Sequence, residues 1–76
     1  SAIEYSQAYD ALADFELIDY RGMDMDLFSD VVYFMSRVSA DRLFAVRAEL
    51  LNGAAAEGVS KKVSLVDEAI SQSVSR

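Results

Sequence analysis

Asp24-Met25-Asp26, followed by Asp30, is the spacing in this chain that comes nearest to a cation-binding loop. A calcium loop of the EF-hand type needs oxygen ligands at its first, third and fifth positions and a glycine at its sixth. Counted from Asp24, the fifth position is Phe28 and the sixth is Ser29, so the pattern fails. The acids read instead as an N-cap and an acid-rich first helical turn. Nucleophilic catalysis has less to build on. His and Cys are both absent, so no Ser/His or Cys/His pair can form, and the usual zinc, haem and iron–sulfur ligands are missing. Paired carboxylates fall on exposed-looking faces outside any pocket-forming pattern, and no Gly-rich phosphate loop is present. The chain therefore reads as non-enzymatic, with no metal and no cofactor.

Recognition is the remaining chemistry. Arg47 falls in the middle of an apolar arc. It either meets a carboxylate on a partner, or it snorkels or pairs with the acidic N-terminal helix of its own chain. Tyr5, Tyr9, Tyr20 and Tyr33, in a chain without Trp, suit either an interface or the half-buried boundary of a core.

Helices must position these groups. Pro is absent and Ala is frequent, so nothing interrupts a long helix, and the apolar residues recur with a helical period. An N-terminal segment from about Ile3 to Tyr20 gathers Tyr5, Ala8, Ala11, Leu12, Phe15 and Ile18 in one wide arc, with Asp10 and Asp14 opposite. Arg21-Gly22 is expected to end it, with Gly22 in the left-handed C-cap conformation. A second segment, Met25 to Val38, starts at Asp24 as N-cap and carries Leu27, Phe28, Val31, Val32, Phe34, Met35 and Val38 on one face. A third starts at Ser39 as N-cap, has Asp41 near the positive end of its dipole, and groups Leu43, Phe44, Val46, Leu50, Leu51 and Ala54. A fourth, Val59 to Val74, has a narrow stripe of Val59, Val63, Val66, Ile70 and Val74, whose spacing is that of a coiled-coil seam. On one ideal helix the apolar centres of the last two segments would differ by roughly 140°. Either the chain breaks between Asn52 and Gly58, or one long helix shows its halves to opposite sides. Gly53 and Gly58 favour the break.

With 76 residues, one domain is the ceiling and the core is small, so association is an obvious source of further stability. The longest fully apolar stretch, Val31 to Met35, is far below the roughly 20 residues of a membrane span. The start, Ser1-Ala2-Ile3-Glu4, lacks the basic and apolar regions of a secretory leader. Together with the lack of Cys, this gives a cytoplasmic expectation. The net charge is −6, and residues 1–30 hold eight acids against Arg21 alone. That balance disfavours nucleic acid, which needs clustered Lys and Arg; the segment lengths allow a helix–turn–helix, but its recognition helix would lack a basic face.

From Ser39 onward, Leu43, Leu50, Leu51-Asn52, Lys62-Val63, Val66, Ala69 and Ile70 resemble the C-terminal helix of the inner-rod proteins of bacterial type III secretion systems, to which the needle subunits are related. The likeness covers about half of the chain. It implies a bacterial subunit whose C-terminal helix packs against copies of itself around a conduit, and an export route without a classical leader. Here Ser39-Ala40-Asp41 stands where the family usually has Pro, and Arg47 where Gln is usual.

The expectation is thus a single all-α domain over residues 1–76: a small bundle of three to four helices, or a hairpin with a long C-terminal helix. It would act by protein–protein contact or homo-oligomeric assembly, with Arg47, Val63, Val66, Ile70 and Val74 as the candidate contact residues. The alternative is a small acidic regulator that binds and modulates another protein.

Overall fold

The computed structural model describes residues 18–75. Among these, the chain forms three helices and no strand: α1 (Met25–Val38), α2 (Ala40–Leu51) and α3 (Val59–Val74). This agrees with the all-α expectation of a small bundle. Among the described residues no helix is long and apolar enough to cross a membrane.

The expected N-terminal helix lies, as far as residue 17, outside the described residues, but its expected end does not. Ile18 and Asp19 have no regular structure and residues 20–22 form a turn, so the helix does not reach Tyr20. Gly22 is not a left-handed cap either, since among the described residues the positive φ angles belong to Gly53 and Gly58. The cause is local. The Gly22 N–H donates to Asp19 Oδ1 at 3.0 Å, an Asx-type bond that offers the backbone an alternative to helix. A Cβ at Gly22 would run into that same carboxylate.

Asp24 caps α1 as expected: its backbone is extended and its Oδ1 accepts the Leu27 N–H at 2.9 Å. Asp26 in the first turn and Arg37 in the last complement the helix dipole. Ser39 is a one-residue joint. Its N–H closes α1 on the Met35 carbonyl at 2.8 Å, and it is also the N-cap of α2. The expected Ser39 side-chain cap is not made; α2 begins on backbone geometry, with Asp41 in its first turn.

α2 and α3 are separate helices. Asn52 turns extended, Gly53 takes φ 131° and Gly58, the N-cap of α3, takes φ 83°. Both values suit glycine, which lacks the Cβ that makes positive φ costly. The long-helix alternative is therefore not the one adopted. α3 packs against both other helices more extensively than they pack against each other. The core joins Phe28, Val32 and Met35 of α1, Leu43, Val46 and Leu50 of α2, and Val59 and Val66 of α3, with Tyr20 from the preceding turn. The apolar arc expected on α2 divides: Leu43, Val46 and Leu50 turn inward, while Phe44 and Leu51 stay half exposed and Ala54 is exposed.

The two loop glycines differ in a measurable way. A Cβ at Gly58 meets open space, whereas one at Gly53 would collide with Arg21 Nη1. Gly58→Ala is expected to cost about 1 kcal/mol, the left-handed penalty alone. Gly53→Ala should cost more, because φ 131° lies farther from any conformation open to an L-residue and Arg21 must also let go of the loop. Urea denaturation of the two variants checks this, and equal costs would show that Arg21 does not constrain the loop.

Candidate functional site

Two cations tie the bundle together through backbone oxygen. Lys62, on α3, is 3% exposed. Its Nζ donates to the carbonyls of Tyr20 at 2.8 Å, of Arg21 at 2.9 Å, and of Met23. It also stands 5.3 Å from the centroid of the Phe28 ring, within cation–π range. An ammonium has three donors and no acceptor, so three carbonyls satisfy it completely. Arg21, from the same turn, reaches the opposite way: its Nη1 donates to the Asn52 carbonyl at 3.3 Å and its Nη2 to that of Ala54. The turn at residues 20–23 is thereby fastened to α3 by Lys62 and to the α2–α3 loop by Arg21.

Tyr20 is buried in this turn, and among the described residues its hydroxyl has no hydrogen-bond partner. Burial pushes its pKa up to about 12, the Glu49 carboxylate adds to the rise, and Arg42 opposes it.

Beside Arg21 lies an open groove of about 420 Å³ between the C-terminal half of α2 and the N-terminal half of α3. Leu50, Leu51, Val59 and Val63 make its apolar walls, Ser60 and Ser64 lie along α3, and the 53–56 loop closes one end. Phe44, Ala48 and Leu51 form a continuous exposed strip on the outer side of α2, with Phe44 52% and Leu51 54% exposed.

The residues singled out in the sequence are not brought together. Arg47 Nε donates to Asp67 Oδ1 at 2.6 Å, an ion pair from α2 to α3 rather than to the N-terminal segment. Both side chains are more than 40% exposed, so the pair contributes at most about 1 kcal/mol. Val66 is fully inside the core, so in this chain it packs against its own α1 and α2. Val63 and Ile70 are half-buried against that core, and Val74 is 71% exposed. The buried side of α3 runs through Val59, Lys62, Val66 and Ala69. That line lies roughly 60° around the helix from the stripe of Val59, Val63, Val66, Ile70 and Val74. Tyr33 is exposed, hydrogen-bonded to Arg37 at 3.0 Å and stacked beneath its guanidinium. Among the described residues no three acids come together as a metal site, and Asp24 is committed to its cap.

Lys62 and Arg21 are the residues that sequence reasoning passed over. Lys62 carried a signal: it sits three residues after Val59 and four before Val66, inside the helix's apolar edge. Nothing in the sequence marks Arg21 as a loop anchor.

No family model, no curated protein and no solved structure matches this chain.

Lys62→Met keeps most of the volume and removes the charge, leaving three turn carbonyls without their donor. It is expected to cost about 3 kcal/mol, whereas Lys61→Met, at an exposed neighbour, should stay within about 0.5 kcal/mol. Paired urea denaturation curves check this. Similar midpoints for the two variants would mean that the carbonyl cage contributes nothing.

Proposed function

We propose that this chain is a non-catalytic helical module that binds a protein partner through the α2–α3 groove and the strip beside it. The observation that carries this reading is Leu51, half exposed and lining an apolar groove, with the half-exposed Phe44 two turns away on the same side of α2. Large side chains clustered on one exposed face of a small protein are a common mark of an interaction surface. The groove has the form that takes the apolar side of an amphipathic helix, with Arg21 at one end and the Ser60 and Ser64 hydroxyls along one wall to meet polar groups at its edge. Of the contact residues read from the sequence, Val63 lines this groove and Arg47 lies one turn along α2 from both Phe44 and Leu51. Val66 and Val59 serve the chain's own core.

The resemblance of the C-terminal half to inner-rod subunits supports the same general reading, assembly by helix packing. In this chain, packing through Val59 and Val66 takes place within one molecule, so a copy-to-copy contact would fall on the outer strip of α2 and on Val74.

Phe44→Glu with Leu51→Glu places two charges on the strip and leaves Leu43, Val46 and Leu50 untouched. Light scattering over a hundredfold concentration range reads self-association, and capture of binding proteins from cell extract followed by titration with the purified captured protein reads a foreign partner. The expected result is binding at least tenfold weaker than wild type at unchanged helical circular dichroism. Full-strength binding by the double variant would place the interface elsewhere.

A further inference from the structure

Asn52 is the one asparagine in the sequence, and Gly53 follows it. Both are exposed, where α2 gives way to the loop before α3. The side-chain amide of an asparagine is open to attack by the backbone nitrogen of the next residue. A glycine at that next position leaves the nitrogen unshielded, because it has no Cβ. Nowhere else does the sequence set a glycine after Asn or Asp, so this loop is the one place that favours the reaction.

We propose that Asn52 is a site of intramolecular deamidation and that Arg21 sets its rate. The Gly53 nitrogen gives up its proton to solvent and attacks Asn52 Cγ. The new N–C bond closes a succinimide ring, and the side-chain nitrogen leaves as ammonia. Water then opens the ring at either carbonyl. One product is aspartate. In the other, isoaspartate, the chain runs on through the side-chain carbonyl. No reactant besides water is required.

The fold holds this reaction back. Asn52 has ψ 94°. At that angle the Gly53 nitrogen lies on the far side of the Cα–C bond from Asn52 Cβ, whereas ring closure needs the two nearly eclipsed. The bond must turn, and the Asn52 carbonyl oxygen swings with it. That oxygen accepts from Arg21 Nη1 at 3.3 Å, and Arg21 Nη2 donates to the Ala54 carbonyl. One guanidinium thus bridges the carbonyls on either side of Gly53, so close that a Cβ on Gly53 would strike Nη1. Arg21 is itself held, since its own carbonyl accepts from Lys62 at 2.9 Å. Giving up a hydrogen bond to a charged group slows ring closure by about tenfold.

Conversion changes the loop. Asn52 is the C-cap of α2, where the helix dipole opposes a negative charge. It lines a small cavity with Asp19, Arg21 and Glu49, so a carboxylate at position 52 competes with the Ala54 carbonyl for the guanidinium. Isoaspartate adds a carbon to the backbone at the same point. Either product loosens the loop that closes one end of the α2–α3 groove. The proposal does not depend on what that groove binds.

The test incubates the full-length chain in mildly alkaline buffer, folded or unfolded in guanidinium chloride. Mass spectrometry of its peptides reads loss of the Asn52 amide, and chromatography separates the aspartate and isoaspartate products. Wild type is expected to convert at Asn52 about tenfold more slowly folded than unfolded, and folded Arg21→Met at close to the unfolded rate. Arg21→Lys keeps the stem and the charge but cannot span both carbonyls. Its rate is expected to fall between the two, and it decides the question should Arg21→Met fail to fold by circular dichroism. A folded wild type that converts as fast as the unfolded chain, or a folded Arg21 variant that keeps the wild-type rate, would overturn the proposal. So would amide loss confined to Gln7 and Gln72.

Discussion

A lysine ammonium that is nearly sealed from water must find an acceptor for every one of its protons, since an unpaired buried charge costs several kcal/mol. Lys62 finds them in Tyr20, Arg21 and Met23. Among the described residues no carboxylate is involved, so the charge is held by backbone dipoles that cannot swing away as a side chain can. Three consequences follow. The 20–23 turn is fixed against α3, Tyr20 is seated in the core from outside the described helices, and α1 starts from a defined place at Asp24. Arg21 completes the arrangement by holding the α2–α3 loop from the opposite side of the turn.

This arrangement explains how so short a chain sustains a break between α2 and α3. Gly53 and Gly58 allow the loop its positive φ angles, but permission alone would leave the two helices free to reorient. The Arg21 grip on the Asn52 and Ala54 carbonyls fixes the loop, and the α2–α3 groove inherits its shape from that fixed loop. The apolar strip from Phe44 to Leu51 meets this groove at Leu51, and a preformed groove lowers the ordering cost of binding a partner helix.

Much of the fold was legible in the sequence because it depends on local chemistry. The Asp24 cap, the helical period of Met25 to Val38 and the glycine break at 52–58 all act within a few residues. The candidate site was less legible. The stripe Val59, Val63, Val66, Ile70 and Val74 follows hydrophobicity, which excludes Lys62 and discounts Ala69, so its centre lies roughly 60° from the buried side of α3. A lysine counts as polar until three carbonyls from a segment about 40 residues earlier in the chain surround it, and no periodicity within one helix announces that. The same limit applies to Arg47, whose partner Asp67 stands on the next helix, and to Gly22, where the Asp19 side chain overrides the expected cap.

One buried ammonium, bonded to three backbone carbonyls, organises this protein. Nitrogen-edited NMR of the lysine side chains in the full-length chain tests it most directly. A caged Lys62 predicts an ammonium resonance that exchanges slowly with water and shows couplings across hydrogen bonds to the carbonyl carbons of Tyr20 and Arg21, while Lys61 is lost to rapid exchange. A Lys62 ammonium that exchanges as fast as that of Lys61 would contradict the account.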